Sequence, residues 1–240
     1  MNKSENQESI SPNIGVNQFR EMLYLFLSRA FSKEADKALM WNASEILNSL
    51  EDLSDLPEIS QEENIQSGKY LLRDFFKEIE GKEQEKVLTD LSREYAASFL
   101  GVGERTVALC ESVYQDQSKS LFQESYFEVK ERYNEIGMEK SDDFKDPDDH
   151  LSVELALMAH LCRLTINASG NNSGKLLYYL KSQEEFLKQH LIQWIPELSE
   201  GLKETTHSTF YRSMAHLVDG FIKMDGVLID SLIEEAKSLP

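Results

Sequence analysis

From Val16 onward, apolar residues fall at 16, 19, 22, 23, 26, 27 and 30, the three-and-four spacing of a helix with a broad buried face. The same period returns along most of the chain. A second helix is predicted to start at Ser32 with Lys33-Glu34-Ala35, to run through Trp41, Ile46 and Leu50, and to be closed by Pro57. A third starts at Ser60 with Glu62-Glu63 in its first turn, carries Tyr70, Leu71, Phe75 and Phe76, and ends at Gly81. A fourth covers about 83–100, with Leu88, Leu91, Tyr95 and Phe99 inward, and stops at Gly101. Residues 101–117 have no clear period and read as a connecting segment.

A fifth helix is predicted over about 118–136, ending at Gly137, before a loop at 138–146 rich in Asp and Lys. The sixth, from Pro147 to about Ile166, is apolar over much of its circumference and is therefore expected at the centre. "NASGNNSG" is a turn cluster. Helices over about 175–194, 196–203, 206–224 and 227–238 follow, with Pro196 and Gly226 marking breaks. No strand-length alternation dominates and no fixed repeat occurs. The fold class is all-α, a single bundle of about nine to eleven helices. Its expected organisation is a flexible tail at 1–14, an N-terminal lobe at 15–137, a hinge loop and helix start at 138–150, and a C-terminal lobe at 151–240.

Composition narrows the function more than the fold. The chain has 240 residues, 40% apolar and 28% charged, which is globular rather than disordered. Acidic residues number 43 against 25 basic, a formal charge of −18. Such a surface repels nucleic acid and anionic lipid; it suits a cationic partner or serves solubility alone. Cys110 and Cys162 form no CxxC pair and read as small core residues of a reducing compartment. The polar N-terminus has no hydrophobic signal region, and no apolar run approaches the roughly 20 residues of a spanning helix. The expectation is a cytoplasmic chain with no stable membrane insertion.

The stretch "DDFKDPDDHLSVEL" (Asp142 to Leu155) concentrates the candidate chemistry. As a helix start, Asp146 is the N-cap, Pro147 takes the first position, and Asp148 and Asp149 sit at the positive end of the dipole. That leaves His150, four residues before Glu154 and so on the same face. A carboxylate partner there would raise its pKa. Tying the loop to the helix, contacting a partner and catalysis are the three roles open to His150. Read as a metal site, "DDFKD" (Asp142, Asp143, Asp146) matches the DDxxD by which helical diphosphate enzymes hold magnesium, but Pro147 and Gly137 place it in a loop. His150 and Glu154 with His160 lack an HExxH, and the one ExxH pair, Glu204 with His207, stands alone. Ser112 has no G-x-S-x-G context, and "GVGERT" lacks a third glycine and a preceding strand. No metal and no cofactor are expected.

Three ordered motifs, "REYAASFLG", "CESVYQD" and "DPDDHLSVELALMAHL", resemble the Y-x-x-L-F, S-V-Y and (Glu/Asp)-P-x-D-H-(Leu/Ile)-x-x-E-L blocks of the TorD/DmsD/NarJ family of molybdoenzyme maturation chaperones. "ERYNEIGM" and "LYLFLSRAF" are similar to the step before the third block and to the opening helix. The match covers roughly residues 16–165. Ser98 stands where the family has Leu, and Leu109-Cys110 where it has Pro-aromatic. The resemblance implies a cytoplasmic chaperone, not an enzyme. Its implied partners are the twin-arginine leader and the apo-subunit of a molybdopterin oxidoreductase, held until cofactor insertion. It further implies that Pro147, Asp149 and His150, with Ser112, Tyr114, Tyr95 and Phe99, form the client site, with Asp146 and Glu154 structural in the hinge. Core packing is the competing role for Tyr95 and Phe99. A monomer or a domain-swapped dimer fits the loop at 138–146. The alternatives are a magnesium-dependent diphosphate enzyme using Asp142, Asp143 and Asp146, and a helical protein–protein adaptor.

Overall fold

The protein is described by a computed structural model, which covers residues 12–115, 119–140, 143–169 and 173–238. The all-α expectation holds: no strand forms among the described residues, apart from one isolated bridge. In order the helices are α1 (Pro12–Ser32), α2 (Lys37–Asp52), α3 (Pro57–Ser60), α4 (Glu63–Ile79), α5 (Gln84–Phe99), α6 (Ser112–Gln115), α7 (Glu124–Glu135), α8 (Leu151–Ala168), α9 (Ser173–Phe186), α10 (Ile192–Thr205) and α11 (Thr209–Ser238). A wide π-turn, Leu187–Leu191, joins α9 to α10. α1 begins inside the segment read as a tail; residues 1–11 lie outside the described residues.

Two helix pairs organise the core. α1 lies along α8, and α11 lies along α4 while also contacting α9 and α10. The apolar stripe of α1 supplies Leu23, Phe26, Leu27, Ala30 and Phe31, all buried. α8 is buried on nearly every side, as its all-round apolar sequence requires. α4 and α11 approach so closely that only glycine fits at the crossing. A Cβ on Gly68 would stand 2.6 Å from Leu217 Cγ, and one on Gly220 would stand 2.7 Å from the Ile65 backbone nitrogen.

One buried ion pair ties the two ends of the chain. Arg20 on α1 places its guanidinium against the Asp225 carboxylate on α11, Nη2 to Oδ2 at 2.8 Å, with Asn17 Oδ1 at 2.8 Å from Nη1. Tyr24 donates its hydroxyl to the same carboxylate. Both charged side chains are fully buried. In a dry interior such a pair depends on having nearly every donor and acceptor matched, and here the guanidinium is shared between two acceptors.

Several predicted boundaries move. α2 starts at Lys37 and not near Ser32, because Asp36 is the residue whose carboxylate accepts from Leu39 N, 2.8 Å. Pro57 opens the short α3 instead of only closing α2. Glu62, not Ser60, caps α4. The segment read as irregular holds α6, and the fifth predicted helix starts at Glu124. Pro196 sits inside α10, and the π-turn just before it widens the backbone where the ring would crowd the preceding turn. Gly226 does not break α11: the glycine penalty of about 1 kcal/mol is small against the buried flanks Ile222, Met224 and Ile229.

The sixth predicted helix is also shorter than expected. It starts at Leu151 with His150 as N-cap, so Asp146 is not the cap and Pro147 is not the first helical residue. The reason is geometric. The Asp149 carbonyl accepts from Glu111 N, 3.0 Å, so it is committed outside the helix, and the chain stays extended until His150.

Asp225→Ala leaves the Arg20 guanidinium buried without its counter-charge, and the expected loss is about 3–5 kcal/mol of folding stability. Urea unfolding followed by far-ultraviolet circular dichroism measures it; a loss below about 1 kcal/mol would show that the pair is not what ties α1 to α11.

Candidate functional site

Residues 109–115 and 147–154 meet as two short backbone segments. Cys110 and His150 form an isolated antiparallel bridge. Leu151 N donates to Leu109 O at 2.7 Å, and Glu111 N donates to Asp149 O at 3.0 Å. The Asp149 side chain adds a third link: its Oδ2 accepts from Ser112 N, 2.8 Å, at the start of α6. Asp149 is fully buried. The carboxylate therefore sits where the first unpaired amide of α6 needs an acceptor.

His150 is 5% exposed and packs edge-on against Phe144. Its Nδ1 accepts from Ser152 N at 3.2 Å and lies 2.8 Å from Ser152 Oγ. An acceptor Nδ1 places the ring proton on Nε2, which is the neutral imidazole. Burial pushes the pKa of His150 down from 6.5 to about 4, outweighing Asp146 and Asp149, which act to raise it. The expectation that Glu154 would raise it is overturned, because Glu154 is engaged elsewhere. Glu154 Oε2 accepts from Trp194 Nε1, 3.1 Å. Burial, and then the nearby Glu111 carboxylate, push Glu154 well above the usual carboxylate range. Glu111 in turn meets His190 Nδ1 at 2.9 Å and accepts from Gln115 Nε2 at 3.3 Å.

Tyr114 lies over Trp194, ring centroids 5.3 Å apart, and its hydroxyl donates to Ala108 O, 2.8 Å. Pro147 closes a turn whose carbonyl accepts from His150 N, 3.2 Å. Asp148 is buried: burial opposes its ionisation, but the Lys140 ammonium at 2.5 Å and the hydroxyls of Tyr126 and Tyr133 hold its pKa low. Asp146 is exposed, and its carbonyl accepts from Lys140 Nζ, 2.7 Å. Ser112, Tyr114, Pro147, Asp149, His150 and Glu154 thus occupy one junction. Tyr95 and Phe99 do not touch it through any hydrogen bond; they form an aromatic cluster with Phe31 and Tyr211, and Tyr95 donates to Phe31 O, 3.0 Å.

Glu111, His190 and Trp194 were not singled out in the sequence. The i,i+4 spacing of His190 and Trp194 was the available signal, since it puts both on one helix face. Glu111 lies 79 residues from His190, so nothing local could pair them. Asp142 lies outside the described residues, and Asp143 and Asp146 are in the loop before α8. Among the described residues, no group of three or more His, Cys, Asp or Glu side chains is placed to hold a metal ion. Cys162 is buried and its thiol pushed up to about 12 by burial, which suits packing rather than reactivity. No helix among the described residues is long and apolar enough to cross a membrane.

Comparison with known proteins matches residues 60–200 to the family described as nitrate reductase delta subunit, a span that contains the whole junction. The chain is also similar to proteins named chaperone protein TorD. That of Vibrio cholerae serotype O1 is 26% identical over 223 residues, covering 92% of this chain and 96% of that protein. Those of Aliivibrio fischeri and Shewanella pealeana are each 24% identical, covering 87% and 94% of this chain and 94% and 96% of theirs.

The depressed pKa of His150 sets the sign of a pH effect. Folding holds the ring neutral, so its contribution is present above pH 6.5 and is lost as pH falls toward about 4. Glu154, raised, acts in the opposite sense. His150→Asn keeps a capping acceptor but removes the titration, so it isolates the histidine term. Between neutral pH and pH 4.5, the unaltered chain should lose about 2–3 kcal/mol more stability than the variant in urea unfolding. Equal losses would refute the neutral, buried histidine.

Proposed function

The chain belongs to the nitrate reductase delta subunit family, as a TorD-like molybdoenzyme chaperone, and we propose that it holds the twin-arginine leader of a molybdopterin oxidoreductase subunit. In this reading it is a cytoplasmic, system-specific protein. It retains the leader and apo-subunit until cofactor is inserted, and then permits export. The relatives are named as chaperones, a role that needs no catalytic residue, so the diphosphate-enzyme alternative is set aside.

One observation supports the junction as the client site. Asp149 Oδ1 and Ser112 Oγ are both buried without a hydrogen-bond partner among the described residues, in two residues already linked through Ser112 N. An unmatched buried carboxylate oxygen is costly, and it is a ready acceptor for an incoming N–H donor. In this reading the leader displaces the packing between α6 and the 147–150 turn to reach both atoms. The half-buried Tyr114 ring, backed by the buried Trp194, lines a shallow groove with Val113 and offers an apolar surface for the leader's hydrophobic part. The formal charge of −18 draws a cationic peptide in.

Titration with a synthetic twin-arginine leader should give micromolar or tighter binding that weakens as salt rises. Asp149→Ala and His150→Ala should each weaken it by about tenfold or more. Their unfolding curves are measured in parallel, because Asp149→Ala also strips the acceptor from Ser112 N. Folded variants that bind and mature the client normally would refute the junction. Failure to bind any candidate leader would refute the function.

A further inference from the structure

Glu111 also lines a groove of about 610 Å³. That volume lies within the roughly 300–1,000 Å³ usual for small-ligand sites. It is formed by α6, the start of α7 and the π-turn before α10. Its carboxylates are Glu111, which is 1% exposed, with Glu124 and Glu128 one turn apart on α7. Its one lysine, Lys188, is turned away to Glu184 at 2.6 Å and Asp230 at 3.3 Å.

Four glutamines complete the walls, and their orientation is fixed by their partners. Gln115 and Gln189 give their Nε2 hydrogens to the carboxylates of Glu111 and Glu185, both at 3.3 Å. Gln123 and Gln193 give theirs to the carbonyls of Leu121, 3.1 Å, and Lys188, 2.8 Å. Carboxylates and carbonyls only accept, so one of the two Nε2 hydrogens of each amide is already engaged. What remains for a ligand is mainly carboxylate and amide oxygen, with one N–H left on each amide. Ser125 also lines the groove; it is 7% exposed, and its Oγ has no partner among the described residues. A wall of acceptors with a buried, unsatisfied hydroxyl calls for a ligand rich in N–H donors and positively charged.

We infer that this groove seats the guanidinium groups of the leader's arginine pair, with Glu111, Glu124 and Glu128 as the recognition acids. The inference rests on the leader reading above and adds where the charge is recognised. A guanidinium carries five N–H donors in one plane, enough to serve several acceptors at once, whereas an ammonium is a compact point charge with three. The groove therefore selects arginine over lysine and not merely positive over neutral. Glu111 joins the two sites. Its backbone N–H is held by Asp149 O, and its side chain reaches the groove. A leader lying across α6 meets the groove with its arginines and the half-buried Tyr114 with its apolar stretch.

The test uses the full chain and four synthetic peptides that differ only at the pair: Arg-Arg, Arg-Lys, Lys-Arg and Lys-Lys. Binding to the unaltered chain should fall by about tenfold or more from Arg-Arg to Lys-Lys. The double variant Glu124→Gln/Glu128→Gln, both exposed positions, should weaken Arg-Arg by a similar factor and remove most of the preference over Lys-Lys. Glu58→Gln/Glu63→Gln carries the same charge change on α3 and α4, outside the groove, and should bind as the unaltered chain does apart from a small screened effect. If the groove variant matches this control, the groove assignment falls while the leader function stands. If the unaltered chain binds no twin-arginine peptide, the leader function falls, and the groove assignment with it.

Discussion

The Asp149 carboxylate and the two backbone hydrogen bonds beside it are the constraint on which the site depends. They fasten a segment that has no helical period of its own, 101–111, to the start of the most buried helix, α8. Without them α6 is four residues with no reason to persist, since a single turn fixes several dihedrals for one internal bond. With them, one wall of the junction is pinned to the centre of the bundle. α8 is in turn packed along α1, and α1 is locked to α11 through Arg20 and Asp225. The position of a surface turn is thus set by the deepest polar contacts in the molecule.

The same junction concentrates acids that cannot all be charged. Asp149, Glu111 and Glu154 lie within one buried region. Burial and the field of Glu111 resolve the conflict by disfavouring the charged form of Glu154, whose remaining acceptor takes the Trp194 indole N–H. His150 is held neutral in the same way, by burial. The −18 of the sequence is therefore a surface quantity. Inside, burial disfavours charge on Glu154 and on His150, while the Asp149 and Glu111 carboxylates face α6 and the groove beside it.

Helix existence was legible in the chain; helix ends were legible only where their cause was local. Gly81, Gly101 and Gly137 follow the helices they were expected to stop, each with positive φ. Asp146-Pro147 carries equally good start signals, yet the helix begins four residues later, because Asp149 O is claimed by Glu111, a residue 38 positions earlier. Pro196 and Gly226 failed as breaks for the complementary reason: neighbours far along the chain make the continuous helix worth more than the local penalty. At the site, the motif residues at 147–154 were visible as a cluster. Glu111 and His190 were not, since their pairing exists only after α6 and the π-turn have been brought together.

The clamp also reconciles a preserved junction with a variable lip. Its two inter-segment bonds use the carbonyl of Leu109, the amide of Glu111, the carbonyl of Asp149 and the amide of Leu151. None of these is a side-chain atom. A proline at 109 would still present its carbonyl, so the Leu109-Cys110 departure from the resembled Pro-aromatic pair leaves the bridge intact while changing what stands at its edge. Position 111 is freer still. Only its amide serves the clamp, while its side chain faces the groove, where here a glutamate meets Gln115 and His190. A clamp made of these backbone bonds and the Asp149 carboxylate can hold one geometry while the side chains at 109–111 differ. In this chain the side chains at that edge are carboxylates and amides rich in hydrogen-bond acceptors.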